Sequence, residues 1–268
     1  MEFTSYLQSL SAPFQTHPLI QKPNTPFVVM ILSPHPDDEC ITGSLALRLL
    51  KENGAHVLNV AVTLGSKKER QKARLKELTS ACESLDFELA VLSEDWSDKL
   101  KEVKSLIQKY QPQLIIAPHT EDFHPTHIKT GKLLEKALKV IKQPCLVAWS
   151  EFWGAIKKPN LLIEVPSEIV ELQMQALLKH EGEIKRNPYH LRLPGWMMDN
   201  VRRGGEIITA PGSDVPKAAF GVIYHLQKFK NGKASKLTVP SYLSAFADLA
   251  QIFNEMLEAA PGSKTKVK

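Results

Sequence analysis

Residues 26–33 read PFVVMILS, an apolar run rich in β-branched residues, and a helical pattern, ITGSLALRLLKENG, follows at residues 41–54. The run is typical of a strand buried on both faces, and Gly54 suits the left-handed cap that ends many helices. A second apolar run, HVLNVAVTLG at 56–65, follows this cap directly. The chain therefore starts with an alternation of strand and helix, which is typical of parallel sheets.

The same alternation continues through the first two thirds of the chain. Helices are predicted at 67–85, 99–110 and 130–141, and further strands at 87–95, 113–119 and 145–152. Apolar strands that alternate with amphipathic helices pack best as one sheet between two helical layers. We predict an α/β fold with a Rossmann-like, doubly wound, mostly parallel sheet and helices on both faces.

The pattern becomes less regular after Trp153. We predict a strand at 159–165, a long helix at 168–183, an irregular loop at 186–217 and a late strand at 218–229. No internal repeat divides the chain, so residues 1–268 are interpreted as a single domain. Its expected parts are a core at about 26–183, a loop-rich extension at 184–230 on the substrate side, a C-terminal helix at 240–259 and a disordered tail at 260–268.

Composition narrows the class of protein. A hydrophobic content of 43% with 24% charged residues is ordinary for a globular chain, and the net charge of +5 comes without a basic block interleaved with aromatics. We therefore expect no nucleic-acid partner. Three widely spaced cysteines argue against a disulfide framework, and neither a signal peptide nor a long apolar run is recognisable. We expect a cytoplasmic enzyme without a membrane span; a homo-oligomer is possible.

The densest group of ionisable residues is SPHPDDE at 33–39, at the end of the first predicted strand. Ligands of open α/β sheets bind beyond the carboxyl ends of strands, and a divalent cation would neutralise so many carboxylates. His35 and Asp38 are three residues apart, so a tight turn can direct both at one ion, whereas Asp37 projects differently. The alternative is an acidic helix start stabilised by the helix dipole, which leaves the His-Pro pair unexplained.

A second cluster, PHTEDFHPTHIKTG at 118–131, also follows a predicted strand. His124 and His127 bracket a Pro-Thr pair, which gives a rigid turn with two imidazoles close together. A ligand from this loop would complete a His/Asp/His set, and three protein ligands with one open position are typical of catalytic zinc. The sequence contains neither CxxC nor HExxH, so the common structural-zinc and thermolysin-type sites are excluded.

HPDDE with a downstream HPxH resembles the PIG-L/LmbE-like family of zinc-dependent N-acetylglucosaminyl deacetylases. The likeness covers residues 27–183 and includes an Arg-x-x-Glu element at Arg74 and Glu77. It also includes SEFWGAIKKPNLLIEV at 150–165 and the helix before His180. The resemblance implies hydrolysis of the N-acetyl group of an N-acetylglucosamine-type amino sugar or conjugate, with release of acetate and a free amine.

The resemblance also implies roles for individual residues. One zinc ion per chain, or another divalent metal, would be held by His35, Asp38 and His127. Asp37 would be the general base, a protonated His124 would stabilise the oxyanion, and Arg74 would contact the substrate. The chain departs from the family at Thr126, where Asp is frequent. Glu121 or Asp122 could take over its electrostatic role toward His124.

Further substrate contacts are predicted from residue type alone. Trp153 and Trp196 could stack on a pyranose ring, and Arg202 or Arg203 could bind a hydroxyl or phosphate. The tryptophans could equally be core residues and the arginines solvated. Three other functions stay open: a metal-dependent hydrolase of another amide or a phosphoester, a catalytically inactive sugar-binding relative, and a doubly wound binding module. The last lacks a GxGxxG after the first strand.

Overall fold

The computed structural model describes residues 3–139 and 142–259, and nine strands in that part of the chain form one sheet. The strands are β1 Val28–Ser33, β2 His56–Ala61, β3 Glu88–Val91, β4 Leu114–Pro118, β5 Cys145–Ser150, β6 Leu161–Glu164, β7 Gly221–Lys230, β8 Lys233–Ser235 and β9 Tyr242–Leu243. The helices are α1 Thr4–Ser11, α2 Asp38–Thr42, α3 Ser44–Asn53, α4 Lys68–Leu85, α5 Trp96–Tyr110, α6 Pro125–Leu138, α7 Ser167–Leu177, α8 Glu181–Arg186, α9 Tyr189–Gly204 and α10 Leu249–Glu258. A π-helical turn, Gly205–Thr209, extends α9.

The strand order is β3-β2-β1-β4-β5-β7-β6-β9, and β8 pairs with β7. The first five strands of this order are parallel, β7 is antiparallel to both β5 and β6, and β9 is parallel to β6. The predicted fold class is confirmed. The chain builds outward from β1 to β3 and then returns to β4, so β1 and β4 lie side by side at the switch point. Their carboxyl ends open a crevice, where doubly wound folds bind ligands.

Side chains of the central strands alternate between two buried clusters, because successive residues of a strand point to opposite faces. In β1, Val29 and Ile31 join one cluster, whereas Met30 and Leu32 join the other. Residues of α3, α4, α7, α9 and α10 pack in the first cluster, and residues of α5 and α6 pack in the second. Helices therefore cover both faces of the sheet, as the alternation of strands and helices predicts.

Two predicted segments differ from the structure in the C-terminal half. The single helix expected at 168–183 is broken into α7 and α8, with a turn at 178–180. The irregular loop expected at 186–217 is wrong for residues 189–204, which form α9 in spite of Pro194. Leu193, Met197 and Val201 recur at helical spacing and are buried, and this packing outweighs the low helix propensity of proline and glycine.

The chain termini also differ from the expectation. The C-terminal helix predicted at 240–259 begins only at Leu249, because Asp248 caps it by accepting a hydrogen bond from the Gln251 N–H (3.1 Å). The tail predicted to be disordered, 260–268, lies outside the described residues. Helix α1 was not predicted, and it packs against the core through Phe3 and Leu7. Within the described residues, no helix combines the length and apolar character needed to cross a membrane.

Candidate metal centre

The loops after β1 and β4 meet at the switch point and bring three imidazoles together. The ring centroids of His35 and His124 are 4.8 Å apart, those of His35 and His127 5.3 Å, and those of His124 and His127 5.0 Å. Each ring offers a nitrogen within 4.8 Å of one from either of the others. The two sequence motifs therefore form one site.

Asp38 completes this site from the start of α2. Its Oδ2 lies 3.3 Å from Nδ1 of His35 and 3.5 Å from Nε2 of His127, and it also accepts the backbone N–H of His35 (2.8 Å). Burial disfavours the charged carboxylate, but the imidazoles of His127 and His35 outweigh it and lower the pKa of Asp38. The three predicted ligands therefore lie around one point with the carboxylate ionised.

The chemistry of these residues fits a divalent cation. Nε2 of His127 is buried without a hydrogen-bond partner among the described residues, which is costly unless a ligand takes its lone pair. Burial lowers the pKa of His127, yet the carboxylates of Asp38 and Asp122 raise it to about 10. A cation at this point would replace that proton. Two imidazoles and a carboxylate form a donor set that zinc accepts.

Asp122 supports His127 from behind. Its Oδ2 lies 3.5 Å from Nδ1 of His127, and its Oδ1 accepts the backbone N–H of His124 (2.7 Å). A carboxylate on the far nitrogen of a metal-binding imidazole fixes its tautomer and orientation. Glu121 is exposed and pairs with Lys157 (3.0 Å). Of the two residues considered as substitutes for an acid at position 126, Asp122 is therefore the one at the site.

His124 is held differently from His127. It is the N-cap of α6, and its Nδ1 accepts the backbone N–H of Thr126 (3.3 Å). Burial lowers the pKa of His124, and the neighbouring rings of His35 and His127 lower it further. A neutral ring whose Nδ1 accepts a hydrogen bond carries its proton on Nε2. His124 is therefore built as a donor toward the site, and Asp38 is the better third ligand.

Asp37 occupies a strained backbone position. Its φ is 112°, in the region that favours glycine and costs other residues about 1–3 kcal/mol. The side chain is buried, and no side-chain hydrogen bond caps α2 from it. Burial raises the pKa of Asp37, and the neighbouring carboxylates of Asp38 and Glu39 raise it further. A carboxyl group in this environment is suited to exchanging a proton.

Arg74 lies against the first motif. Its Nη2 donates to the carbonyl of Pro36 (3.0 Å) and lies 3.5 Å from Oε1 of Glu183. Gly65 makes room for it, because a side chain there would collide with the guanidinium. Arg74 also lowers the pKa of Asp37, although burial and the acidic neighbours outweigh this effect. No motif indicated Glu183, which reaches the site from α8.

The three imidazoles, Asp37, Asp38, Arg74 and Glu183 line an open cleft of about 520 Å³. One side is aromatic: Trp153 has its ring 6.4 Å from that of His127 and 5.4 Å from that of Tyr189. Trp96 also lines the cleft together with basic residues, and Nζ of Lys129 lies 5.5 Å from its ring centre. Tyr189, Trp96, Lys68, Lys129 and Arg186 were not singled out from the sequence, since nothing in the motifs links them to the site.

Three residues considered as substrate contacts, Trp196, Arg202 and Arg203, lie elsewhere. Trp196 packs against Phe152, with ring centroids 5.1 Å apart, and does not line the described cleft. Arg202 is exposed and pairs with Asp199 (2.9 Å) and Glu206 (3.4 Å). Arg203 pairs with Glu151 behind the site.

Comparison with known proteins agrees with this geometry. Residues 30–138 match the family model PIG-L: GlcNAc-PI de-N-acetylase. The family resemblance predicted from the two motifs is thereby confirmed. A "Probable N-acetyl-alpha-D-glucosaminyl L-malate deacetylase 2" from Bacillus cereus is 28% identical over 182 residues, which cover 58% of this chain and 83% of the relative.

Solved structures share the fold at low identity. The N,N'-diacetylchitobiose deacetylase of Pyrococcus horikoshii matches with a TM-score of 0.59 and 18% identity, over 84% of this chain and 91% of that one. The 4-carboxy-2-hydroxymuconate hydratase of Pseudomonas putida matches with a TM-score of 0.55 and 14% identity, over 75% of this chain and 95% of that one. Because a hydratase shares this architecture with a deacetylase, the fold alone does not fix the reaction.

Proposed function

We propose that this protein is a zinc-dependent hydrolase that removes the N-acetyl group from an N-acetylglucosamine-type amino sugar or conjugate, releasing acetate and a free amine. The observation that carries the proposal is the convergence of His35, Asp38 and His127 on one point, where Nε2 of His127 is buried without a hydrogen-bond partner among the described residues and Asp37 lines the same cleft. The match of the PIG-L family model and the name of the Bacillus cereus relative support the same reaction.

The residues divide the work of amide hydrolysis among them. Zinc bound by His35, Asp38 and His127 would polarise the acetyl carbonyl and lower the pKa of a bound water to about 7. Asp37 takes the proton from the attacking water and later delivers it to the leaving nitrogen. Its raised pKa suits both steps, because a proton carrier works best near the operating pH.

His124 stabilises the developing oxyanion. Its Nδ1 accepts the Thr126 N–H, so Nε2–H is available as a donor even though the pKa of the ring is lowered. The resemblance implies a protonated ring in this role, whereas the geometry supports a neutral donor. A hydrogen bond from either form would strengthen as negative charge develops on the carbonyl oxygen.

The walls of the cleft suggest how a sugar would lie. Trp153 is 41% exposed beside the site, so its ring is free to stack on a pyranose, and we favour it over Trp196. Lys68 and Lys129 also line the cleft, and neither has an acidic partner within 4.0 Å among the described residues. A substrate with an anionic aglycone would therefore be preferred. Arg74 donates to the Pro36 carbonyl, so we propose that it acts mainly by holding the turn before Asp37 and less by contacting the substrate.

The proposal is tested by metal analysis together with acetate release from a panel of N-acetylated amino sugars, both neutral and acidic. We expect about one zinc per chain and acetate release from at least one sugar. Asp37→Ala should abolish turnover and retain the metal, whereas His35→Ala should lose the metal. His56→Ala is a matched control, because His56 pairs with Glu88 on the surface (2.8 Å).

Two results would contradict the proposal. Near-normal rates of acetate release by Asp37→Ala would show that Asp37 is not the general base. A metal-loaded wild type that releases no acetate from the panel would favour hydrolysis of another bond or an inactive sugar-binding relative. A phosphoester is the weaker alternative, because two-metal phosphoryl transfer relies on bridging carboxylates, and among the described residues only Asp38 contacts both His35 and His127.

A further inference from the structure

The peptide unit that joins Pro36 to Asp37 is held at both of its ends. Its carbonyl accepts a hydrogen bond from Arg74 (3.0 Å), and its N–H donates to Oε2 of Glu39 (3.0 Å). This unit sets the φ rotation of Asp37, which is 112° and unfavourable for any residue with a side chain. The two contacts therefore oppose the relaxation of the peptide to an ordinary conformation.

A single short segment supports both of these contacts. Nε2 of His180 donates to Oε1 of Glu39 (2.7 Å), and Oε1 of Glu183 lies 3.5 Å from Nη2 of Arg74. The His180 and Glu39 side chains are fully buried, so this charged hydrogen bond is protected from water. His180 thus acts on the N–H of this peptide through Glu39, and Glu183 acts on its carbonyl through Arg74.

The break between α7 and α8 makes this arrangement possible. His180 has φ −84° and ψ 61°, so it leaves the helical conformation and becomes the N-cap residue of α8. It uses no side-chain cap, because its ring is turned to Glu39 instead. Glu183 then follows in the first turn of α8, on the side of Arg74. The break between α7 and α8 therefore places His180 against Glu39 and Glu183 against Arg74.

We propose that His180 is a positioning residue for Asp37, acting through Glu39, and that Glu183 assists it through Arg74. The inference rests on the proposed function in taking Asp37 as the base. His180 is fully buried and cannot touch a substrate. Its effect is to keep the strained peptide, and with it the Asp37 side chain, in place in the cleft that the metal ligands also line.

The test compares His180→Ala with His180→Gln and with a control, His17→Ala. His17 makes a second His–Glu contact of the same length, 2.7 Å to Glu164, away from the cleft. We expect His180→Ala to lower kcat by about 10- to 100-fold with KM and zinc content unchanged, because small misplacements of a catalytic group have effects of this size. His180→Gln keeps a donor for Glu39 and should recover most of the rate. His17→Ala should leave kcat unchanged.

A crystal structure of zinc-loaded His180→Ala provides a readout that does not depend on activity. We expect φ of Asp37 to leave the left-handed region. A folded variant that keeps φ near 112° and a normal kcat would overturn the inference. If the wild type releases no acetate, the proposed function fails, and φ of Asp37 in the His180→Ala structure still shows whether His180 holds this backbone.

Should His180→Ala not fold, Glu183→Gln tests the support of the same peptide through Arg74. An unchanged φ of Asp37 with an unchanged kcat in this variant would refute the inference.

Discussion

The two loops that build the site are stabilised in opposite ways. In the first, residues 34–39, the backbone is strained at Asp37 and is held by Arg74 and by the Glu39–His180 pair. In the second, residues 119–127, the structure shows no strained backbone, and contacts within the loop help to orient His124 and His127, although His119 also donates to the Gly154 carbonyl (2.8 Å). Asp122 accepts the N–H of His124, and His124 caps its own helix.

This difference follows from the side chains that each loop has to place in the site. The second loop offers imidazoles, and a capped helix with Pro125 in its first turn orients them without strain. The first loop has to offer Asp38 as a ligand and to leave the adjacent Asp37 carboxyl unligated in the same cleft. In this structure the loop does so with a strained backbone at Asp37, and such strain persists only where the surrounding structure supports it.

The largest expected effect distinguishes His127 from His124 in the second loop. His127→Ala should lose zinc and all measurable turnover, because it removes a ligand. His124→Ala should keep zinc and lose about 100- to 1,000-fold in kcat, which is typical for removal of one oxyanion donor. Zinc content and kcat of both variants decide the matter. Loss of zinc from His124→Ala would instead make His124 a ligand.

The next effect tests the local support of the second loop. Asp122→Asn removes the charge behind His127 while keeping its shape, so zinc affinity should fall by about 10- to 100-fold. Competition with a chelator measures the affinity. Glu121→Gln is the matched control, because Glu121 is an exposed neighbour that pairs with Lys157. Equal affinities for the two variants would mean that Asp122 does not orient the ligand.

The same contrast explains what could be predicted from the sequence. The strand–helix alternation and the two motifs are local patterns. They led to the sheet and, together with the family resemblance, to the prediction that His35, Asp38 and His127 share one ion. The cap made by His124 is also local, and a His-Pro pair at a helix start could have indicated it. The Glu39–His180 contact joins residues 141 positions apart. No spacing rule reaches that far.

The errors have the same physical origin. Pro194 and the glycines of the 186–217 segment indicate a loop by local propensity, but burial of Leu193 and Met197 against the sheet favours α9. The break at residues 178–180 depends on a partner, Glu39, on another helix. Tertiary contacts decided the conformation in both places, and the sequence showed only one side of each contact.

A smaller effect contrasts backbone strain in the two loops. Asp37→Gly should be more stable than Asp37→Ala by about 1–2 kcal/mol, because glycine adopts a positive φ without the penalty of a side chain. In the second loop Thr126 is helical, so Thr126→Gly should be less stable than Thr126→Ala by about 1 kcal/mol. Denaturant unfolding of the four variants gives both differences. If the glycine variant were less stable than the alanine variant at position 37 as well as at position 126, the backbone of Asp37 would not be strained.

The smallest effect concerns the helix that the second loop begins. Lys129 lies on α6 two residues beyond His127, with its Nζ over Trp96. Lys129→Met should raise KM for a substrate with an acidic aglycone by about two- to fivefold and leave a neutral sugar unaffected, because exposed charge pairs contribute about 0.2–1 kcal/mol. Added salt should reduce the difference, since it screens surface charges. Lys132→Met, on the same helix, should change neither KM. Equal increases for both substrates would show that Lys129 contacts the sugar rather than a negative charge.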